Sequence, residues 1–245
     1  MTWCDTPGWL LRERIAEYRA LGARFAKWRA VITIGDGRPS QACLHANAHA
    51  LARYAALCQE GDLVPIVEPE VLMEGDHTLE RSFEVTAATL RIVFHELAEQ
   101  RVALEAIVLK PSMVIPGTRC LRQASVDEVA DATLRCLRAT VPGTVPGIAF
   151  LSGGQSPELA TARLDAMNRR GTQAWELSFS FGRALQDPAL KAWNGTPENH
   201  EAGAQALYQG ARRNAAARSG ADRTGLPTNR KPFEFRFDLS ARNSA

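Results

Sequence analysis

The stretch IVLKPSMVIPG, residues 107–117, places a lysine in an apolar run with a proline directly behind it. The residues before Lys110 are apolar or β-branched, which is typical of a buried strand. An ammonium group is costly to bury there unless a carboxylate compensates its charge. One interpretation is a lysine at a strand end whose head group reaches water along its apolar stem. The other is a nucleophilic lysine, kept partly neutral for Schiff-base chemistry.

Further charged side chains accompany the other apolar runs. Lys27 and Arg29 alternate along one run, Glu68 and Glu70 stand at the end of the next, and Lys110 ends the third. In parallel α/β folds, active sites lie at the carboxyl ends of the strands. A solvated strand and a polar loop would explain the first two pairs separately, but their common placement favours a single site.

Two glycine-containing turns follow the fourth and fifth runs. The turn 152–154 reads Ser-Gly-Gly and opens into a predicted helix, and Gly182-Arg183 ends the fifth run. The unpaired N–H groups at the start of a helix, together with an arginine, favour an anion such as phosphate. The sequence therefore predicts an anion site beside the lysine.

Five apolar runs alternating with segments of helical period must position these groups. The pattern predicts strands at 25–32, 63–68, 104–110, 147–152 and 175–182. It predicts helices at 39–59, within 77–100, at 125–139, from 156 onward and at 196–220. Strands that each precede a helix form a parallel α/β sheet, either doubly wound or a (β/α) barrel. No GxGxxG or GxxxxGK[ST] motif supports a dinucleotide or P-loop site.

Together these groups predict a reaction on a phosphorylated ketone. A neutral lysine amine attacks a ketone, and neighbouring cations such as Lys27 and Arg29 favour the neutral amine. Glu68 could act as general acid and base. Because an iminium acidifies the adjacent carbon, the expected chemistry is cleavage or formation of a carbon–carbon bond.

Five segments then carry a resemblance to a known family. They are FAKWR (25–29), VPIVEPE (64–70), LKPSMV (109–114), FLSGGQS (150–156) and SFGRALQ (180–186). In this order the chain resembles class I fructose-1,6-bisphosphate aldolase over roughly residues 10 to 215. The resemblance implies a lyase of glycolysis and gluconeogenesis built on a (β/α)8 TIM barrel. It further implies a sugar phosphate substrate, no metal or diffusible cofactor, and a homo-oligomer, often a tetramer.

The resemblance also implies a role for each matched residue. Lys110 resembles the Schiff-base lysine, Glu68 the carboxylate that handles protons, and Lys27 the lysine beside the reacting carbons. Arg29 resembles a neighbour that contributes to phosphate binding, and Glu70 a carboxylate of the same hydrogen-bond network. The matches to the groups that bind the phosphate next to the ketone are Ser152, Gly153, Gly182 and Arg183.

Some features depart from the family pattern. We expect the chain to carry about five of the eight βα units, without the first three strands of the barrel. An aspartate and a lysine that the family carries on those strands have no counterpart here. Ser112 stands where the family commonly has asparagine, a change we expect to be tolerated.

Three alternatives to an active aldolase remain at this point. One is a truncated, catalytically silent remnant that serves as a phosphate-binding or interaction module. Another is a misassigned start or a split gene, which would supply the missing strands. The last is a transaldolase-like enzyme, against which the segments VEPE and SGGQS argue.

The domain prediction separates residues 1–220, a partial barrel domain, from a tail at 221–245. In the tail, apolar residues alternate with charged ones over 233–239, as in a half-buried strand. We expect either an unrelated flexible tail or a strand that pairs with an open edge of the sheet.

Composition and residue spacing limit the binding partners and the cell compartment that we expect for the chain. A net charge of +2 gives no support for nucleic acid or an anionic membrane as a partner. No apolar run approaches the ~20 residues of a membrane span, and no signal peptide is recognisable. The five cysteines show no CxxC spacing, which suits a reducing cytoplasm. His45 and His49 could meet on one helix face, but no third ligand suggests a metal site.

Overall fold

The structure, a computed structural model, describes residues 6–221, with side chains from Leu10 onward. Its strands form one fully parallel sheet in the order of the sequence. The strands are Phe25–Ile32 (β1), Val64–Val71 (β2), Val108–Leu109 (β3), Gly147–Phe150 (β4) and Glu176–Phe179 (β5). The predicted parallel α/β sheet is therefore confirmed. The predicted strand at 233–239 lies outside the described residues, and the division into domain and tail stays a prediction.

Seven α-helices accompany the sheet in the described part of the chain. They are Thr6–Ala20 (α1), Gln41–Glu60 (α2), Leu79–Glu99 (α3), Val126–Thr140 (α4), Pro157–Arg169 (α5), Arg183–Trp193 (α6) and His200–Arg218 (α7). Side-chain oxygens cap α2, α3, α4 and α5 at their N-termini, and Ser125 forms the predicted capping box with Glu128. These caps fix where each helix starts relative to the strand before it.

The two faces of the sheet have different characters because side chains alternate along each strand. One face belongs to the core, and Val67, Leu109 and Phe150 on it are fully buried. The opposite face starts at the amino ends of the strands with an apolar pocket of about 360 Å³, whose lining includes Ile66 and Val108. Charged side chains follow towards the carboxyl ends. The predicted site therefore has an apolar floor.

Strand β2 is longer than predicted, and the prediction that it ends at residue 68 was wrong. Glu68 and Glu70 lie within β2 and not behind it, although Pro69 separates them. The Val67 carbonyl accepts a hydrogen bond from the Lys110 N–H, on the side of β2 that faces β3. Residues two apart in a strand direct their backbone groups to the same side, so the Pro69 nitrogen, which carries no hydrogen, also faces β3. Strand β3 pairs only with Ile66 and Val67 and stops before Pro69, so the proline costs no hydrogen bond between the strands.

Strand β3 is shorter than the predicted 104–110, because Leu104–Ala106 form a 3₁₀ turn. The buried Gln59 side chain on α2 supplies hydrogen-bond partners for the backbone groups of this turn. It accepts a hydrogen bond from the Ala103 N–H at 3.0 Å and donates to the carbonyls of Ala103 and Ala106 at 2.9 and 3.2 Å. A side chain distant in sequence therefore replaces strand pairing here.

After residue 147 the predicted ends of two strands and the start of one helix were wrong, and one helix was not predicted. The fourth and fifth strands end at Phe150 and Phe179, before the predicted 152 and 182. The helix α6, which starts at Arg183, was not predicted. The predicted helix at 196–220 is a short 3₁₀ turn followed by α7.

The loop that follows Lys110 packs closely against the loop after β2. A Cβ atom on the buried Gly117 would lie 2.4 Å from the carbonyl oxygen of Gly75, and the Gly117 N–H donates to the His77 carbonyl at 2.8 Å. We expect Gly117→Ala to lower the free energy of unfolding by about 2 kcal/mol, because both partners are rigid backbone. Urea denaturation measures this change.

Gly143→Ala is the matched control, since its Cβ would make an ordinary contact of 3.6 Å with Ala174. Its effect should stay within about 0.5 kcal/mol. Equal effects of the two substitutions would contradict the close approach of the loops.

Candidate active site

The centre of the site is the Glu68 carboxylate, which lies between two ammonium groups. Its Oε1 is 3.2 Å from Lys110 Nζ, and its Oε2 is 3.1 Å from Lys27 Nζ. The Glu68 side chain is 5% exposed and that of Lys110 is 10% exposed, whereas that of Lys27 is 47% exposed. Three neighbouring strands thus bring together the three residues that the sequence singled out for catalysis.

This geometry answers the question raised by the lysine in its apolar run. Lys110 does not reach into water, and the buried carboxylate of Glu68 compensates its charge. Oε2 of Glu68 accepts no hydrogen bond from the described residues, although the Lys27 ammonium is close. A carboxylate with an uncommitted oxygen between two amines is suited to carry a proton between them.

A second ion pair lies one step further along the same face. Arg29 Nε donates to Glu70 Oε2, with the Glu70 side chain buried and that of Arg29 about half exposed. Because Glu68 and Glu70 are two residues apart in β2, both carboxylates project to one side of the sheet. The second pair therefore continues the row of charges towards the carboxyl ends of the strands.

Ser112 fixes the segment behind Lys110 to β2. Its buried hydroxyl donates to the Val71 carbonyl at 2.8 Å and accepts from the Val71 N–H at 3.0 Å, while the Lys110 N–H donates to the Val67 carbonyl at 2.8 Å. Serine thus bonds both backbone groups of Val71, which is consistent with the expected tolerance of this position.

The turn after β4 has a backbone suited to anions. Gly153 and Gly154 adopt φ values of +58° and +91°, a region open mainly to glycine. A turn can direct successive backbone N–H groups towards an anion such as phosphate. Ser152 is buried behind the turn, and α5 begins at Pro157, three residues after Gly154, with Ser156 as its N-cap.

The loop after β5 meets this turn. Gly182 is the N-cap of α6 and offers no capping side chain, and Arg183 is the first residue of that helix. Arg183 Nη2 is 3.8 Å from the position that a Cβ on Gly154 would take. The structure therefore brings together all four predicted phosphate-site residues around two helix N-termini and one guanidinium group.

Two buried residues behind this turn had no role predicted from the sequence. They are Gln155 and Arg163, which hydrogen-bond to each other at 2.8 Å. The sequence feature that could have identified Arg163 is its position in α5, three residues after the buried Ala160 and four before the buried Met167, which places it on the buried face of the helix. A charge on the core-facing side of a helix is unusual and needs a reason.

The structure also bears on the cysteines, on a possible metal site and on membrane-spanning helices. Burial raises the pKa of the Cys58 and Cys136 thiols to about 11, so neither is a reactive thiolate. Within residues 6–221, no three His, Cys, Asp or Glu side chains form a group that could hold a metal ion. His49 instead lies 3.0 Å from the Glu96 carboxylate. None of the described helices is long and apolar enough to cross a membrane.

Comparison with known proteins finds the chain similar to one family. The family model described as "Glycolytic: Fructose-bisphosphate aldolase class-I" matches residues 6–231. The chain is 57% identical over 211 residues to a probable fructose-bisphosphate aldolase class 1 of Xylella fastidiosa, covering 86% of this chain and 63% of the relative. It is 46% identical over 211 residues to cytosolic fructose-bisphosphate aldolase 4 of Arabidopsis thaliana, covering 86% of this chain and 54% of the relative.

A solved structure gives the same result for the fold. The fructose-bisphosphate aldolase of Plasmodium falciparum, crystallised with TRAP and a small-molecule inhibitor, superimposes with a TM-score of 0.85 at 45% sequence identity. The match covers 87% of this chain and 62% of that one. The predicted partial TIM-barrel fold is therefore confirmed, and the chain spans less than two thirds of the length of these relatives.

A double-mutant cycle tests the central ion pair. We expect Glu68→Gln to lower the free energy of unfolding by about 3 kcal/mol, because it leaves the buried Lys110 ammonium without a counter-charge. In the Lys110→Met background the same change should cost about 2 kcal/mol less. Urea denaturation of the four proteins gives the coupling energy.

The exposed pair of Arg12 and Glu60, 2.7 Å apart, is the control for this cycle. Its coupling energy should stay below about 1 kcal/mol, as for other solvent-exposed pairs. Additive effects of Glu68→Gln and Lys110→Met would show that these two charges do not interact.

Proposed function

The chain belongs to the class I fructose-bisphosphate aldolase family, and from this we propose that it carries the Schiff-base chemistry of a fructose-bisphosphate aldolase. The reaction is the reversible cleavage of fructose 1,6-bisphosphate into dihydroxyacetone phosphate and glyceraldehyde 3-phosphate. The observation that carries the proposal is the buried Lys110 amine held against Glu68, with Lys27 on the other carboxylate oxygen. Residues 1–220 are taken as one partial barrel domain.

In the first step of the proposal, Lys110 is the nucleophile. As Lys110 passes its proton to Glu68, the neutral amine attacks the ketone carbon and forms a carbinolamine. Glu68 then returns a proton to the departing hydroxyl, and water leaves as the iminium forms. The 3.2 Å between the two groups is short enough for direct proton transfer.

In the second step, Glu68, which is a carboxylate again once water has left, takes the proton of the substrate hydroxyl next to the breaking carbon–carbon bond, and the iminium accepts the electron pair of that bond. The aldehyde leaves, and an enamine remains on Lys110. Protonation of the enamine carbon followed by hydrolysis releases the ketone phosphate and restores the amine. Lys27, on the more exposed side of Glu68, is placed to stabilise negative charge that develops on substrate oxygens.

The proposal assigns the substrate phosphate to the second half of the site. Ser152, Gly153, Gly182 and Arg183 bind the phosphate next to the ketone through the glycine turn, the start of α6 and the guanidinium group. Arg29, held by Glu70, contributes a further positive charge. A phosphate fixed at this point would direct the ketone carbon towards the lysine.

Other parts of the proposal follow from the family. Class I aldolases are the metal-independent, Schiff-base type, so the reaction uses neither a metal nor a diffusible cofactor. A cytosolic location is proposed by analogy with the cytosolic relative in Arabidopsis. Assembly into a homo-oligomer, as in family members, stays a prediction.

A phosphate-binding module without catalysis is the second candidate. The approach of Arg183 to Gly154 favours it, because a guanidinium group beside the glycine turn suits a phosphate whether or not Lys110 reacts. The glycine turn and the N-terminus of α6 both lie within this chain, and they could bind phosphate without further strands.

Trapping the covalent intermediate distinguishes the two candidates. We expect incubation with dihydroxyacetone phosphate and reduction with borohydride to attach the ketone to Lys110 as a stable secondary amine. Peptide mapping by mass spectrometry locates the adduct. Lys110→Ala should abolish it, because no other amine in the site lies as deeply buried against a carboxylate.

Lys27→Met is the matched control, since it removes the other amine of the site but leaves the Lys110–Glu68 pair. It should retain the adduct on Lys110. Absence of the adduct from folded wild-type protein would refute the Schiff-base proposal and favour the phosphate-binding module.

A further inference from the structure

Arg163 is a buried guanidinium group without a counter-charge. The residue is 6% exposed, and burial lowers its pKa. No carboxylate among the residues that the structure describes forms an ion pair with it, and its Nε has no hydrogen-bond partner there. By contrast, Arg169 on the same helix is paired with Asp165 at 2.9 Å. Because arginine stays charged in proteins, α5 carries an uncompensated buried cation.

The hydrogen bonds of Arg163 lead to the glycine turn. Its Nη1 donates to Gln155 Oε1 at 2.8 Å, and Gln155 Nε2 donates to the Ser152 carbonyl at 2.9 Å. The Gln155 backbone N–H also donates to the Ser152 carbonyl, at 3.0 Å. Both bonds close the turn around Gly153 and Gly154. Arg163 therefore holds the Gln155 side chain in the orientation that closes the turn.

We propose that Arg163 is a positioning residue of the anion site, and that a phosphate group bound on the glycine turn is its missing counter-charge. This inference rests on the phosphate ligand of the proposed function. Charges interact more strongly in a buried environment than in water, so a cation behind the turn favours an anion in front of it. The Gln155 amide lies between them, with its oxygen towards Arg163 and its nitrogen towards Ser152.

This role differs from that of Arg183 in the same site. Arg183 lies beside Gly154 at the start of α6, from where it can contact a ligand directly. Arg163 acts through Gln155 and the backbone. Its loss should weaken binding of the phosphate group without removing a direct contact.

Isothermal titration of the full chain with inorganic phosphate at constant ionic strength tests the proposal. Arg163→Met removes the charge and the hydrogen bond, and the Kd for phosphate should rise about tenfold. Arg163→Lys keeps the charge and one donor, and its Kd should stay within about threefold of wild type. The phosphate-induced rise in Tm should fall in Arg163→Met in parallel, each variant being compared with its own phosphate-free Tm.

Arg138→Met is the charge-matched control. Arg138 is an exposed arginine in the last turn of α4, where it bonds Gln173. This variant should bind phosphate as wild type does. An Arg163→Met protein that is folded and binds phosphate with the wild-type Kd overturns the proposal, even if its Tm is lowered. Absence of phosphate binding by the wild-type chain overturns it as well.

A second experiment tests this inference separately from the proposed function. Borohydride trapping is repeated with dihydroxyacetone phosphate and with dihydroxyacetone, which lacks the phosphate. Arg163→Met should reduce adduct formation on Lys110 only with the phosphorylated ketone. If the wild-type chain forms no adduct but binds phosphate in an Arg163-dependent way, the Schiff-base proposal fails and the assignment of Arg163 stands.

Discussion

The carboxylate of Glu68, shared by two lysines inside a parallel sheet, is the interaction on which the rest of the site depends. A buried ammonium such as that of Lys110 is tolerated only with a compensating charge, and Glu68 supplies it. Lys27 lies in β1, Glu68 lies in β2 and Lys110 directly follows β3, so the arrangement exists only because these strands are neighbours in the sheet. A shift of one residue in a strand would turn its charged side chain towards the helices.

Packing on the other face of the sheet enforces this register. Val67 and Leu109, each directly next to a charged residue of the site, are fully buried in the core. Ser112 adds a polar constraint, because its hydroxyl bonds both backbone groups of Val71 at the end of β2. The apolar core and the charged row are therefore two consequences of the same strand alternation.

In the proposed function, the site divides into a proton-handling half and an anion-binding half. The first half has three cations and two carboxylates, Lys27, Arg29, Lys110, Glu68 and Glu70, and so a net positive charge. The second half adds the guanidinium of Arg183 beside the glycine turn and that of Arg163 behind it. Such a charge balance suits a phosphorylated substrate, whose negative charge the site would offset.

The sequence by itself determined the order of five strands, the nucleophile candidate, the glycine turn and the family. These depend on local periodicity and on short motifs, both of which are properties of neighbouring residues. Only the tertiary structure decided that β2 continues through Pro69, that Gln59 replaces strand pairing at residues 104–106, and that Gln155 joins Arg163 to the turn. In each case the deciding hydrogen-bond pattern depends on neighbours that the folded chain alone supplies. Periodicity shows which face of an element is apolar, but it cannot show which distant group will satisfy a buried polar atom.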